Sequence, residues 1–130
     1  MKRKELEKIA NRWSQRARDR EWNMILQDPN SYVNEDNAFE KFKIYLDKIL
    51  AERKQTAILD LGCGSADLWG ILEKYVAIKK VFGVDISEGM IEQGKIKYPL
   101  ANFFIIDAIK SSEVIKETFS SIISRGILLN

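Results

Sequence analysis

The 130-residue sequence contains no histidine, only one cysteine, and no run of about 20 apolar residues of the kind that spans a membrane. Its basic N-terminal residues are not followed by the apolar stretch of a secretory signal. The single cysteine, Cys63, rules out an internal disulfide and is compatible with a reducing compartment. These absences predict a cytoplasmic protein.

The missing histidine also bears on Cys63, because a nucleophilic cysteine needs a base or another group that favours its thiolate. Cys63 lies between Gly62 and Gly64, where a small buried side chain is the more common role. The sequence also lacks an excess of one charge, since 21 basic and 19 acidic side chains leave a formal charge of +2. Total charge therefore indicates no class of partner.

The one local excess of charge lies between Met1 and Arg20, with eight basic and three acidic side chains. A solvated helix face and a surface for an anionic substrate or a nucleic acid both fit this run, and the former is the more common. Apolar residues spaced by three and four predict a helix over residues 3–27, which Pro29 ends. A second helix follows Asn34 or Asp36 and ends near residue 51. Together, residues 1–55 are predicted to form a helical lid or appendage.

From Thr56 onward, short apolar runs alternate with segments of helical pattern. This alternation predicts a parallel sheet covered by helices on both faces, which is a doubly wound α/β fold over residues 56–130. The predicted strands are Ala57 to Leu61, Lys80 to Asp85, Asn102 to Asp107 and Ser120 to Ser124, and the helices are Ala66 to Val76, Ser87 to Lys97 and Ser112 to Thr118.

The segment LDLGCGSAD, residues 59–67, reads as a buried strand that enters a glycine turn, with Ser65 as a candidate helix N-cap. Ligands of open parallel sheets bind beyond the carboxyl ends of the strands. The residues predicted at these ends are Asp60, Gly62, Gly64, Asp85, Ile86, Asp107, Ala108, Ser124 and Arg125.

Charge in this region separates two classes of ligand. Asp85 lies 23 positions after Gly62, where an acid accepts hydrogen bonds from a ribose diol. Asp67 stands where a dinucleotide-binding turn has its third glycine, and with Asp60 it would repel a pyrophosphate. A ligand with a ribose, an adenine and a cationic group suits these carboxylates better, and S-adenosylmethionine is such a ligand. A nicotinamide oxidoreductase is the weaker alternative.

Four segments, AILDLGCGSAD, VFGVDISEGMIEQGKIKYP, FFIIDAI and SSIISRGILLN, resemble in order and spacing the motifs of class I S-adenosylmethionine-dependent methyltransferases, which have a Rossmann-like sheet. The resemblance implies that Gly62 and Gly64 approach the methionyl part, that Asp60 orients its ammonium group, and that Asp85 holds the ribose. It also implies adenine contacts from Ile86, Met90, Asp107 and Ala108, and positions Ser124 and Arg125 near the methionyl end. Tyr32, Trp13 and Trp22 are candidates for the lid. No catalytic residue and no metal site is indicated.

The family's sheet has seven strands, whereas this sequence supplies four, so the resemblance predicts an incomplete, truncated sheet that binds S-adenosylmethionine and releases S-adenosylhomocysteine. Its fourth strand would leave an exposed edge open to self-association or to a partner chain. The acceptor is not identified, and a small molecule is favoured over a nucleic acid. The alternative function is a non-catalytic regulatory or interaction module that keeps the fold.

Overall fold

The computed structural model describes residues 2–18 and 38–124. Among the described residues, two helices precede an alternating series of strands and helices. The helices are α1 (Arg3–Arg18), α2 (Ala38–Ala51), α3 (Trp69–Leu72), α4 (Glu88–Lys97) and α5 (Ser111–Val114), and the strands are β1 (Ile58–Leu61), β2 (Val81–Asp85), β3 (Asn102–Ile105) and β4 (Ser121–Ser124). Short 3₁₀ turns at Ile78–Lys80 and Ala108–Lys110 precede β2 and α5.

The four strands form one parallel sheet in the order β3-β2-β1-β4. Strand β1 lies in the interior, with Leu61 paired with Val84 on one side and with Ser124 on the other. The predicted doubly wound α/β fold is therefore confirmed. The order of strands reverses between β1 and β4, so the turn after β1 lies at the switch point where such sheets bind ligands.

Each face of the sheet has its own apolar cluster. On one face, Ile58, Val81 and Ile123 pack against α2, α3 and α4, with Trp69 at 0% exposure. On the other face, Leu59 and Val84 pack against Ile115 and its neighbours. Because successive strand side chains point to opposite faces, the near-continuous apolar runs of β1 and β2 fill both clusters.

Two glycines make room for aromatic rings on the face of the sheet that carries Trp69. A Cβ at Gly83 would lie 2.7 Å from Cζ2 of Trp69 and 2.8 Å from Sγ of Cys63. A Cβ at Gly94 would lie 2.7 Å from Cε1 of Phe103. The rings of Trp69 and Phe103 are stacked, with centroids 4.8 Å apart. Interiors are packed too closely for these side chains to give way freely, so both glycines are packing requirements.

The helix predicted at Ala66 to Val76 is wrong in its extent. The α-helical part runs only from Trp69 to Leu72, because the backbone turns through left-handed conformations first, with φ of 55° at Gly64 and 66° at Ala66. Ser65 is likewise not the N-cap, since Leu68 occupies that position without a side-chain cap. The Ser65 hydroxyl instead donates to the Asp67 carboxylate at 2.9 Å.

Two other boundaries shift by a few residues. Strand β3 ends at Ile105 rather than Asp107, because Asp107 caps the 3₁₀ turn that follows. Helix α5 ends at Val114, where Ile115 takes an extended conformation and turns its side chain into the second cluster. The first helix is described as far as Arg18, and its predicted continuation to residue 27 lies outside the described residues.

Candidate functional site

The glycine turn after β1 is bonded to the neighbouring strand. The amides of Gly62 and Cys63 both donate to the Val84 carbonyl, at 2.7 and 3.0 Å. Gly62 and Gly64 have φ of 73° and 55°, a region that residues with a Cβ adopt rarely. Apart from Gly64 itself and its two chain neighbours, no residue has an atom within 4 Å of where a Cβ of Gly64 would stand. The backbone is therefore bare on this side of the turn, as a close approach by a ligand requires.

Asp85 ends β2 and ties the turn to the start of α4. Its Oδ2 accepts from the Gly64 amide and its Oδ1 from the Ser87 amide, each at 2.9 Å. Burial raises the pKa of the Asp85 carboxyl, and the backbone N–H groups around it act in the opposite direction. The sequence predicted that Asp85 and the glycine turn meet at this edge, and the structure confirms that they do.

Asp60 lies inside the sheet at 3% exposure and faces the helices. Its Oδ2 accepts from Nε1 of Trp69 at 2.9 Å. Burial raises the pKa of Asp60 to about 7, the Trp69 bond opposes that rise, and the nearby charges of Asp85 and Asp67 add to it. Near neutral pH this carboxyl is therefore protonated in part, whereas the sequence argument treated it as a full negative charge.

The raised pKa of Asp60 predicts a pH dependence of stability. Below about pH 3.8 the Asp60 carboxyl is protonated in both the folded and the unfolded chain. Between pH 3.8 and about 7 it is ionised in the unfolded chain but still protonated in the folded chain. The free energy of unfolding should therefore fall as pH rises from about 4 to 7, by at most about 1.4 kcal/mol per pH unit for one proton, and level off above. Urea unfolding across this range measures the slope.

Asp85 contributes in the same direction, because its pKa is also raised, so the test compares the parent chain with an Asp60→Asn variant. The part of the slope that belongs to Asp60 disappears in the variant. Identical slopes in the two proteins would contradict the assignment.

The negative charge of Asp67 is less available to a ligand than the sequence suggested. Its Oδ1 forms a salt bridge of 3.1 Å with Nζ of Lys97, and it accepts from the Ser65 hydroxyl. The acidity of the turn is thus partly offset by α4, and the argument against a pyrophosphate, which counted Asp60 and Asp67 as full charges, is weaker than it seemed from the sequence. Lys97 gave no sign of this role, because it lies 30 positions from Asp67.

A groove of about 430 Å³ lies beside the carboxyl ends of β2 and β3. Its sheet-side wall contains Ile86, Ile105, Ile106 and Asp107, and α1 forms the opposite wall. The lining residues from α1 are Arg3, Leu6, Glu7 and Ala10. The groove is mainly apolar with charged groups at a few points, which is the usual make-up of a small-molecule site.

Of the residues predicted to contact adenine, Ile86 and Asp107 line this groove. Asp107 also caps the turn after β3, where its Oδ1 accepts from the Ile109 amide at 3.2 Å, and Ala108 is half-buried in that turn. Met90 is only 2% exposed and lies in α4. Its predicted contact with the ligand would require a side chain that is now covered.

The remaining predicted residues are separated from this group or are not described. Ser124 is exposed at the end of β4, and Trp13 is half-buried on α1. Arg125, Tyr32 and Trp22 lie outside the described residues.

Cys63 is buried, and burial raises the pKa of its thiol well above the ordinary value, with Asp60 and Asp85 adding to the rise. This agrees with a packing role for Cys63.

Within residues 2–18 and 38–124, no group of three metal-binding side chains occurs. None of the described helices is long and apolar enough to cross a membrane.

Two residues of the site escaped the sequence analysis. Trp69 provides the donor for Asp60, and the sequence analysis did not single it out. Ser14 exchanges a hydrogen bond of 2.8 Å with Ser87, across 73 positions of sequence. A polar residue among apolar neighbours on one face of α1 was the only available signal, and it does not identify a partner.

Comparison with known proteins places this geometry in a family. A family model described as "Methyltransferase domain" matches residues 58–130, which is more than half of the chain. "Putative methyltransferase 235L" of Invertebrate iridescent virus 6 is 28% identical over 86 residues, covering 66% of this chain and 31% of the viral protein. The chain thus spans about a third of that relative's length.

Two solved structures share the fold at 19% identity. Magnesium protoporphyrin IX methyltransferase from Synechocystis PCC 6803, solved with bound S-adenosylmethionine, has a TM-score of 0.61, with 92% of this chain and 60% of that chain covered. An S-adenosylmethionine-dependent methyltransferase from Clostridium acetobutylicum has a TM-score of 0.60, with 79% and 43% covered. On the family match and this shared fold, the chain belongs to the methyltransferase domain family.

Proposed function

We propose that this chain is the cofactor-binding part of a methyltransferase, with S-adenosylmethionine as methyl donor and S-adenosylhomocysteine as product. The observation that carries the proposal is the Asp85 carboxylate, which ends β2 and is held by two amides beside the glycine turn. A carboxylate has about four acceptor positions, so one on each oxygen remains for the two ribose hydroxyls.

The methionyl part would lie at the glycine turn. Gly62 and Gly64 take left-handed backbone conformations there, open space lies beside Gly64, and Asp60 is a buried acid two residues before Gly62. With a pKa raised to about 7, Asp60 is an acid whose ionised form gains from a nearby cation. The ammonium and sulfonium groups of the donor supply positive charge, which fits this acid better than the pyrophosphate of a dinucleotide would.

The adenine would enter the groove between α1 and the ends of β2 and β3. Ile86 provides an apolar wall and Asp107 an acceptor for the exocyclic amino group. Ala108 follows directly, so its backbone amide stands at the same end of the groove. Met90 would contribute only from beneath, since it is a buried residue of α4.

When bound, S-adenosylmethionine supplies an electrophilic methyl group on sulfur. The residues of this chain bind and orient that donor, and methyl transfer by in-line displacement depends mainly on such alignment. None of the described residues is assigned as a general base. From the resemblance to the family, Ser124 and Arg125 remain candidates for the methionyl end, and Tyr32 remains a candidate for the lid.

The acceptor we propose is a small molecule and the compartment the cytoplasm. The single cysteine, which is a buried free thiol, is compatible with that compartment. Within the described residues, β4 has a neighbour on only one side, and Ile122 on it is 62% exposed. A second copy or a partner chain adding a strand at this edge would cover it. Light scattering of the purified chain tests self-association, which a strictly monomeric sample would contradict.

Calorimetric titration of the chain with S-adenosylhomocysteine tests the proposed cofactor, with NADH as the competing class of ligand. We expect saturable binding of S-adenosylhomocysteine and none of NADH. Binding of NADH alone would transfer the chain to dinucleotide chemistry. Binding of neither, by a folded chain, would favour the non-catalytic interaction module.

A further inference from the structure

Helix α1 approaches α4 so closely that the backbones touch. A Cβ on Gly89 would lie 2.5 Å from the Ser14 carbonyl oxygen and 2.6 Å from its Cα, so only glycine fits between the helices. At the same point Ser14 is 5% exposed and Ser87 is fully buried. The N-terminal helix thus inserts a polar side chain beneath the start of α4.

The hydroxyl of Ser14 takes part in two hydrogen bonds there. It accepts from the Gly89 amide at 3.0 Å and exchanges a bond of 2.8 Å with the Ser87 hydroxyl. Ser87 in turn caps α4 by accepting from the Met90 amide at 3.2 Å. Buried polar atoms are costly when left unpaired, so the position of α1 is fixed by these bonds and not by apolar packing alone.

The same serine is joined to the proposed ribose site. The Ser87 amide donates to Oδ1 of Asp85, whose Oδ2 accepts from the Gly64 amide. A continuous series of bonds therefore runs from α1 through Ser87 and Asp85 to the glycine turn. Further along α1, Leu6 and Ala10 form the outer wall of the groove next to Ile86.

We propose that Ser14 is a positioning residue for the cofactor, which couples the docking of α1 to the orientation of Asp85 through Ser87. The proposal rests on the proposed function, because it takes Asp85 as the ribose ligand. Since coupling between two events is reciprocal, ligand binding should hold α1 in place as much as α1 favours ligand binding.

The test is calorimetric titration of S-adenosylhomocysteine into the full chain and four variants. Ser14→Ala and Ser87→Ala should each weaken binding on the order of tenfold, and the double variant should weaken it by less than the product of the two losses. Gly89→Ala should produce a similar loss without removing a hydroxyl, because the added methyl group pushes α1 away.

Arg18→Gln is the matched control. It removes an ion pair of 3.5 Å between α1 and Glu92 of α4 that is half exposed and not connected to Ser87. Its affinity should equal that of the parent chain. If Ser14→Ala and Gly89→Ala fold and bind as tightly as the parent chain, Ser14 has a structural role only and the proposal is wrong. If the parent chain itself does not bind S-adenosylhomocysteine, the proposed function is wrong, and the proposal for Ser14 is then wrong as well.

Hydrogen exchange provides a readout that a purely structural role would not change. S-adenosylhomocysteine should slow amide exchange across residues 3–18 in the parent chain and in Arg18→Gln. The slowing should be lost in Ser14→Ala at saturating ligand. Equal protection of α1 in Ser14→Ala and the parent chain would overturn the coupling even if the affinities differ.

Discussion

The Asp85→Asn variant is expected to bind S-adenosylhomocysteine about 100-fold more weakly than the parent chain, a loss of about 3 kcal/mol. The substitution keeps the size of the side chain but replaces one acceptor oxygen with an NH₂ group. Because both oxygens already accept from amides, of Gly64 and Ser87, the new donor must face another donor. The variant therefore weakens the contact with the ribose and also disturbs the hydrogen bonds from Gly64 and Ser87.

Asp47→Asn is the control for removal of one carboxylate. Asp47 bonds Lys74 and Tyr75 between α2 and the segment after α3, and has no hydrogen bond to the glycine turn. Isothermal titration at pH 8, with circular dichroism to establish folding, measures the effect. An affinity within threefold of the parent chain for Asp85→Asn would remove Asp85 from the site.

The second large effect concerns stability. The Trp69→Ala variant should lose about 4 kcal/mol of free energy of unfolding, in the range found for removal of a large buried aromatic side chain. Trp69 is fully buried, stacks on Phe103 and lies beside Tyr98. Its removal also leaves the buried carboxyl of Asp60 without its donor. Urea unfolding at pH 7 measures the loss, which is a large part of a domain's usual stability.

Trp69→Phe separates the two contributions, because it keeps a ring in the cluster but removes the indole N–H. We expect a loss of about 1 to 3 kcal/mol and a further rise in the pKa of Asp60, since the bond from Trp69 lowers it. Trp13→Phe, at a half-buried position of α1, is the matched control and should cost less. A Trp69→Phe variant as stable as Trp13→Phe would show that the bond contributes little.

The sheet was predictable because buried parallel strands are short apolar runs. The runs at Ile58 and Val81 fit a buried strand better than any exposed element. The acid that ends β2 was predictable for the same reason, because Asp85 interrupts an apolar pattern where the strand stops. The start of α3 was not predictable, because Ala66 takes a left-handed conformation and alanine is not a residue type that indicates one. Local pattern therefore found the strands and misplaced the helix between them.

Contacts between distant residues account for most of what the sequence did not reveal. The pKa of Asp60 depends on its burial and on Trp69, and the charge of Asp67 on Lys97. Ser14 meets Ser87 only because Gly89 lets two helices touch. In each case the residue type permits the role, but the partner is set by the assembled fold.

The central position of β1 also has a consequence for synthesis on the ribosome. One side of β1 pairs with β2 soon after it is made, but the other side must wait for β4, with Leu61 paired with Ser124 more than 60 residues later. At about 5 to 20 residues per second, that side has no partner from its own chain for about 3 to 12 s. During that interval the central strand of the sheet has a bare edge in the nascent chain, so the folding yield should depend on how quickly translation reaches β4.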